Sequence, residues 1–179
     1  MAYGVIVQTK VAALNIDSYN RAAVSASAYE NGSVGNLLTK STTTGEGEVW
    51  VITAPTTSDL VNLWMAYEPE VVATVSGSSK YKGLDPDPRN FRNEIGDIFS
   101  VFQPVMGDLI LMSADAVAGT KSSNGFVVAT NAAQKLTWAA SAVSGLTLKF
   151  ISTDYISIGT GGIDTQRVTA YLFEVVAVA

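Results

Sequence analysis

Short runs of β-branched and aromatic residues, each closed by Gly, Pro, Asn, Asp or Ser, recur along almost all of this 179-residue chain. Val, Ile and Thr supply 48 residues. Such side chains pack well on a pleated surface and lose rotamer freedom in a helix. The pattern therefore predicts an all-β fold, an antiparallel β-sandwich or barrel-like domain. From Tyr3 the chain alternates, with Tyr3, Val5, Val7, Thr9 and Val11 on one face. Residues 48–53 are apolar on both faces after the first, as in a central strand, and Pro55 closes the run. Residues 71–75, 108–112, 126–130 and 135–139 give further strands. Near the end, Leu146, Leu148 and Phe150 alternate with Thr147 and Lys149, and Ile156 and Ile158 continue beyond a polar Ser-Thr-Asp patch that invites a bulge. A Gly-rich loop at 159–164 turns the chain back into 167–178, giving a C-terminal β-hairpin.

One segment carries a different period. Leu60, Leu63, Trp64 and Tyr67 fall at i, i+3, i+4 and i+7, predicting one short helix near residues 58–67, with Thr57, Ser58 or Asp59 as its cap and Pro69 past its end. A second helix or irregular stretch is expected at 95–102, and the Ala- and Ser-rich block 12–27 follows neither period. No internal repeat or long linker interrupts the chain, so residues 1–179 are expected to form a single domain, with 1–35 as an arm or edge strand. The two apolar ends are expected as terminal strands paired inside one sheet, or else as surfaces that neighbouring chains cover in an assembly.

Composition removes most chemistries. His and Cys are absent, which excludes disulfides and any site built on thiolate or imidazole. A net charge of -5 and a pI near 4.6 oppose nucleic-acid binding. No apolar run approaches the roughly 20 residues of a membrane span, and the start lacks a basic segment before an apolar block, so no membrane association and cytoplasmic synthesis are expected. Ser79 to Lys82 matches S-x-x-K without the S-D-N and K-T-G partners of that chemistry. The Gly-rich pieces at 45–48 and 159–162 lack the Lys-Ser/Thr pair of a phosphate loop. Asp85-Pro86-Asp87 lacks the Gly and Glu spacing of an EF-hand. No catalytic residue, cofactor or metal is expected. Trp50, Trp64, Tyr67, Trp138, Tyr155 and Tyr171 could form a glycan platform, although Trp50, Trp64, Tyr67 and Trp138 sit in core-like patterns.

Charge is unevenly spread. Residues 80–97 hold eight of the 27 charged side chains, and the 82 residues from Ile98 onward hold nine. Outward Ser, Thr, Ala and Gly suit faces that pack on a partner. Two stretches, EPEVVATVSGSSKYKGLDPDPRNFRN (68–93) and YISIGTGGIDTQRVTAYLFEVV (155–176), resemble small virion proteins of tailed bacteriophages, in particular the head decoration, or cement, proteins of the outer capsid. The resemblance covers the latter two-thirds of the chain. It implies a non-enzymatic clamp on the capsid exterior that bridges major capsid subunits, contacts copies of itself and stabilises the shell. On that reading the candidate inter-subunit contacts are Val5, Val7 and Val176 in the terminal strands, with Tyr81, Asp85, Asp87, Arg89 and Arg92 in the charged loop. The arginines would pair with a neighbour's carboxylates, or else with Asp85, Asp87 or Glu94 of their own chain. The alternative is a tail or fibre β module that binds host-surface glycan.

Overall fold

The computed structural model describes residues 2–43, 45, 47–57, 59–69, 73–76, 79–82, 87–121, 125–158 and 165–178. Within them the β-branched runs become strands: β1 (Ile6–Lys10), β2 (Asn20–Val24), β3 (Val34–Lys40), β4 (Val49–Thr53), β5 (Trp64–Ala66), β6 (Ala73–Ser76), β7 (Ser79–Lys82), β8 (Ile98–Phe102), β9 (Leu109–Ser113), β10 (Val117–Ala118), β11 (Phe126–Val128), β12 (Leu136–Ala139), β13 (Thr147–Ile158) and β14 (Gln166–Ala177). The helical pieces among the described residues are 3-10 turns of three or four residues, at Ala12–Asn15, Asp17–Tyr19, Pro88–Asn90 and Ala114–Ala116. The fold is all-β, as the sequence predicts.

Seven strands make one sheet in the order β1-β9-β14-β13-β11-β12-β10, antiparallel except for the β10–β12 pair. Strands β2, β4, β3, β5 and β8 close into a barrel in which β2 runs parallel to β4. β6 and β7 pair apart from both. The terminal strands share the large sheet, but β9 lies between them. Within residues 2–35, β1 is thus an edge strand of the large sheet, and β2 and the start of β3 belong to the barrel wall. The block 12–27 becomes two 3-10 turns and β2.

The described residues form two hydrophobic cores. Ala23, Tyr29, Ile52, Trp64, Ala66, Phe99 and Val101 fill the barrel. The larger core lies between barrel and sheet: Val34, Met65 and Phe102 come from barrel strands, and Ile6, Met112, Leu148 and Phe173 from the sheet. Gly35 lets the barrel wall close tightly, because a Cβ there would collide with the Thr53 carbonyl and lie 2.6 Å from the Tyr29 hydroxyl.

The helix expected near 58–67 is corrected by this arrangement. Trp64, Met65 and Ala66 are extended, all three are buried, and they pair with β3 and β8. Leu63 and Met65 enter the larger core while Trp64 and Ala66 enter the barrel. A run that feeds a core on each side is apolar at every position, and the helical stripe was a subset of that run. Residues 95–102 likewise end in β8, with Phe99 and Val101 turned into the barrel. In β1 a bulge between Val7 and Lys10 shifts the phase. Ile6 and Val11 therefore share the core side, and Val7 points away from it.

Candidate functional site

Val5 is buried and tied down: its N–H donates to Ser113 Oγ at 3.0 Å, and its carbonyl accepts from the Ser113 N–H at 2.8 Å. Val7 is half-buried on the side of β1 away from the core. Val176 sits half-buried in the bulge between Val175 and Ala177. Tyr81 lies on β7 opposite Thr74. Asp85 lies outside the described residues.

The arginines of the charged loop take intrachain partners. Arg89 Nε and Nη2 donate to Asp87 at 3.0 and 2.7 Å, and Asp87 also accepts the Arg89 backbone N–H at 2.9 Å, capping the turn. The Arg89 guanidinium holds the Asp87 carboxyl below the usual carboxylate range. Arg92 donates to Glu94 at 2.8 Å and lies 5.3 Å over the Tyr3 ring. The loop is a clamp within the chain: the Arg89 carbonyl accepts from the Tyr3 N–H at 2.8 Å, and Arg89 Nη2 donates to Gln166 Oε1 at 3.0 Å. Asp87 and Arg89 are brought together, and Arg92 turns to Glu94 instead.

Gln166 belongs to the surface that sequence reasoning missed. β13 and β14 pair along their whole length, from Thr147 opposite Ala177 to Ile158 opposite Gln166. β11 flanks β13 only over 147–149, and β9 flanks β14 only over 170–174. Among the described residues, therefore, 155–158 and 166–169 form a two-stranded ribbon with both edges open. Four residues at about 3.4 Å each carry it about 14 Å beyond the sheet. Tyr155 stands 49% exposed on it, with the Arg167 guanidinium 4.3 Å over its ring. The Tyr155 N–H is shielded by the Asp154 carboxylate at 2.8 Å.

The ribbon has a firm root. Trp138, Phe150, Tyr171 and Phe173 pack mostly edge to face, with ring centres 5.4 to 6.3 Å apart. Lys121 Nζ lies 4.1 Å over Phe150 and donates to Thr153 Oγ1 at 2.8 Å. On the opposite face of the sheet, Val7, Leu111 and Leu172 stand in register across β1, β9 and β14, half-buried and outside both cores. In the next row Leu109, Glu174, Lys149 and Phe126 are aligned across four strands. This outward face sets an aliphatic row, Val7, Leu111 and Leu172, beside a row that carries Lys10, Glu174 and Lys149.

Among the described residues no group of three or more acidic side chains could hold a metal ion. No described helix is long and apolar enough to cross a membrane. Set against known protein families, curated proteins and solved structures, the chain finds no match.

Proposed function

We propose that this chain is a non-enzymatic structural protein of a phage virion, one that decorates the capsid exterior, bridges major capsid subunits and stabilises the shell. The observation that carries the reading is the open-edged ribbon at 155–158 and 166–169. Open strand edges are templates for pairing with another chain. A two-stranded ribbon is marginally stable alone in water, so a neighbour that adds a strand or covers a face gains contact and orders the ribbon together. The outward face of the sheet, with its aliphatic row beside Lys10, Glu174 and Lys149, offers a second contact. Two contacts on one rigid body suit a bridge, because the first makes the second intramolecular on a lattice. The resemblance of segments 68–93 and 155–176 to cement proteins supplies the kind of lattice.

The test is co-sedimentation with expanded capsids that lack the protein, followed by a heat challenge. Wild-type protein should bind saturably at a fixed copy number and raise the temperature at which capsids open. A variant with 155–169 replaced by a two-residue turn gives up the buried Ile158 and the Arg89–Gln166 contact, so it should melt lower but keep its far-UV dichroism, and it should lose binding. Failure of the wild type to bind, or full binding by the shortened variant, would overturn the proposal.

A further inference from the structure

At one end of the barrel, the starts of β2, β4 and β5 meet the end of β3. Arg21 shares a face of β2 with the barrel-core residue Ala23, so its side chain enters the mouth. Its guanidinium lies 4.4 Å from the ring centre of Trp50 and 5.0 Å from that of Trp64. Stacking on two indoles fixes the fork in place. Among the described residues Arg21 has no ion-pair or hydrogen-bond partner. Beside it Lys40 pairs with Glu48 at 2.8 Å and holds that carboxylate ionised. With exposed Asp17 and Ser18 they line a cleft of about 500 Å³ against Trp50, within the range of small-ligand sites.

The charges of this cleft cancel, Arg21 and Lys40 against Asp17 and Glu48, so it has no net attraction for an anion or a cation. What its walls offer is a fixed set of donors on Arg21, acceptors on Asp17 and Glu48, and an indole flank. A ligand that uses all three has several hydroxyls, each both donor and acceptor, and an apolar C–H face. From this geometry we infer that the barrel mouth is a binding site for an uncharged saccharide of one or two pyranose rings. Arg21 donates to ring hydroxyls, Asp17 accepts from them, and the edge of the Trp50 indole, whose face carries the Arg21 guanidinium, flanks the sugar's C–H side. The site uses barrel strands and the ribbon uses β13 and β14, so either assignment stands without the other.

The experiment follows the three tryptophan indole N–H resonances while methyl glycosides of glucose, galactose, mannose and N-acetylglucosamine are titrated, with glucuronate as the charged comparator. At least one neutral glycoside should shift the Trp50 and Trp64 signals saturably and leave Trp138 in place. Its affinity should not change between low salt and about 0.5 M salt, since no net charge is neutralised. Trp50→Ala should abolish the shift at Trp64. Because that variant can disturb the barrel, Asp17→Ala, at an exposed position, serves as the second: affinity falls about fivefold or more with one hydrogen bond lost, at unchanged melting temperature. Silence across the four neutral glycosides, or a response to glucuronate alone that fades with salt, would overturn the assignment.

Discussion

Tyr29→Phe should make this protein more stable. Tyr29 is fully buried in the barrel, its ring stacked on Phe99 with centres 5.4 Å apart. Its backbone is held by Asn93, but its hydroxyl is a buried polar atom with no hydrogen-bond partner. The side chain of Gln134 is close enough to act on the phenol, yet its Nε2 is engaged by Ser27 Oγ at 3.0 Å. An unsatisfied buried hydroxyl costs about 1–3 kcal/mol. Phenylalanine keeps the stacked ring and leaves a space of about 12 Å³, which at 24 cal/mol per Å³ returns about 0.3 kcal/mol. The net gain is about 1 kcal/mol, a rise of about 3 °C in Tm for a chain of this length. Urea unfolding should show a higher midpoint at unchanged slope. Burial also pushes the Tyr29 phenol well above its ordinary value. Its contribution is fully present below the unfolded value near pH 10 and is lost as pH rises past it, by about 1.4 kcal/mol per unit. The variant should lose stability less steeply there, although Tyr67, also raised by burial, keeps part of the slope. A variant destabilised by about 1 kcal/mol at pH 7 would refute the reasoning, because only a satisfied hydroxyl has that much to lose.

Gly35→Ala should cost about 3 kcal/mol in chemical denaturation, because a methyl there meets the Thr53 carbonyl and Ile52 Cγ1 as well as the Tyr29 hydroxyl; a loss under about 1 kcal/mol would show that the barrel wall yields. Asp87→Asn removes an ion pair whose side chains are 31% and 23% exposed while its Oδ1 can still cap the turn, so it should cost only about 0.5 kcal/mol at pH 7. The Asp87 carboxyl is lowered in the fold. That advantage is therefore present above the unfolded value near 3.9 and lost as pH falls below it, and urea midpoints of the two proteins should converge in acid. Barrel and sheet should melt in one transition, with Trp64 and Trp138 fluorescence and far-UV dichroism changing together; separated midpoints would show two independent units.

Strands were legible in the sequence where one core decided the pattern. Residues 108–112, 126–130 and 135–139 each hold a described strand, and the C-terminal pair appears as β13 and β14. The segment around Trp64 was not legible, since a strand facing two cores has no polar side to reveal its period. Barrel closure and the reach of the ribbon were hidden for another reason. They depend on which distant strands pair and where flanking strands stop: Ile6 meets Met112, and β11 leaves β13 after Lys149. Local periodicity carries no term for either. The arginines of the charged loop were legible as ion-pair partners, and their choice of Asp87 and Glu94 is the short-range option. Arg21 gave no signal, because a single Arg in an Ala- and Ser-rich block gains meaning only when β2 and β4 bring it onto Trp50.

The projecting ribbon and the shared strand β5 belong to one mechanical argument. A ribbon about 14 Å long would pivot freely on a soft root, and a pivoting arm loses most of its contact energy to the entropy of being held. Here its root is the aromatic cluster, and Phe173 of that cluster is also part of the larger core. That core includes Met65, whose neighbours Trp64 and Ala66 fill the barrel. Side chains packed at interior density do not slide past one another in small steps. Phe173 and Met65 share the larger core, and Trp64 beside Met65 fills the barrel, so the ribbon's root, the sheet and the barrel are packed together. On the proposed reading, a neighbour that captures the ribbon would meet the outward sheet face in a set orientation, and much of the ordering cost of the second contact is met by folding.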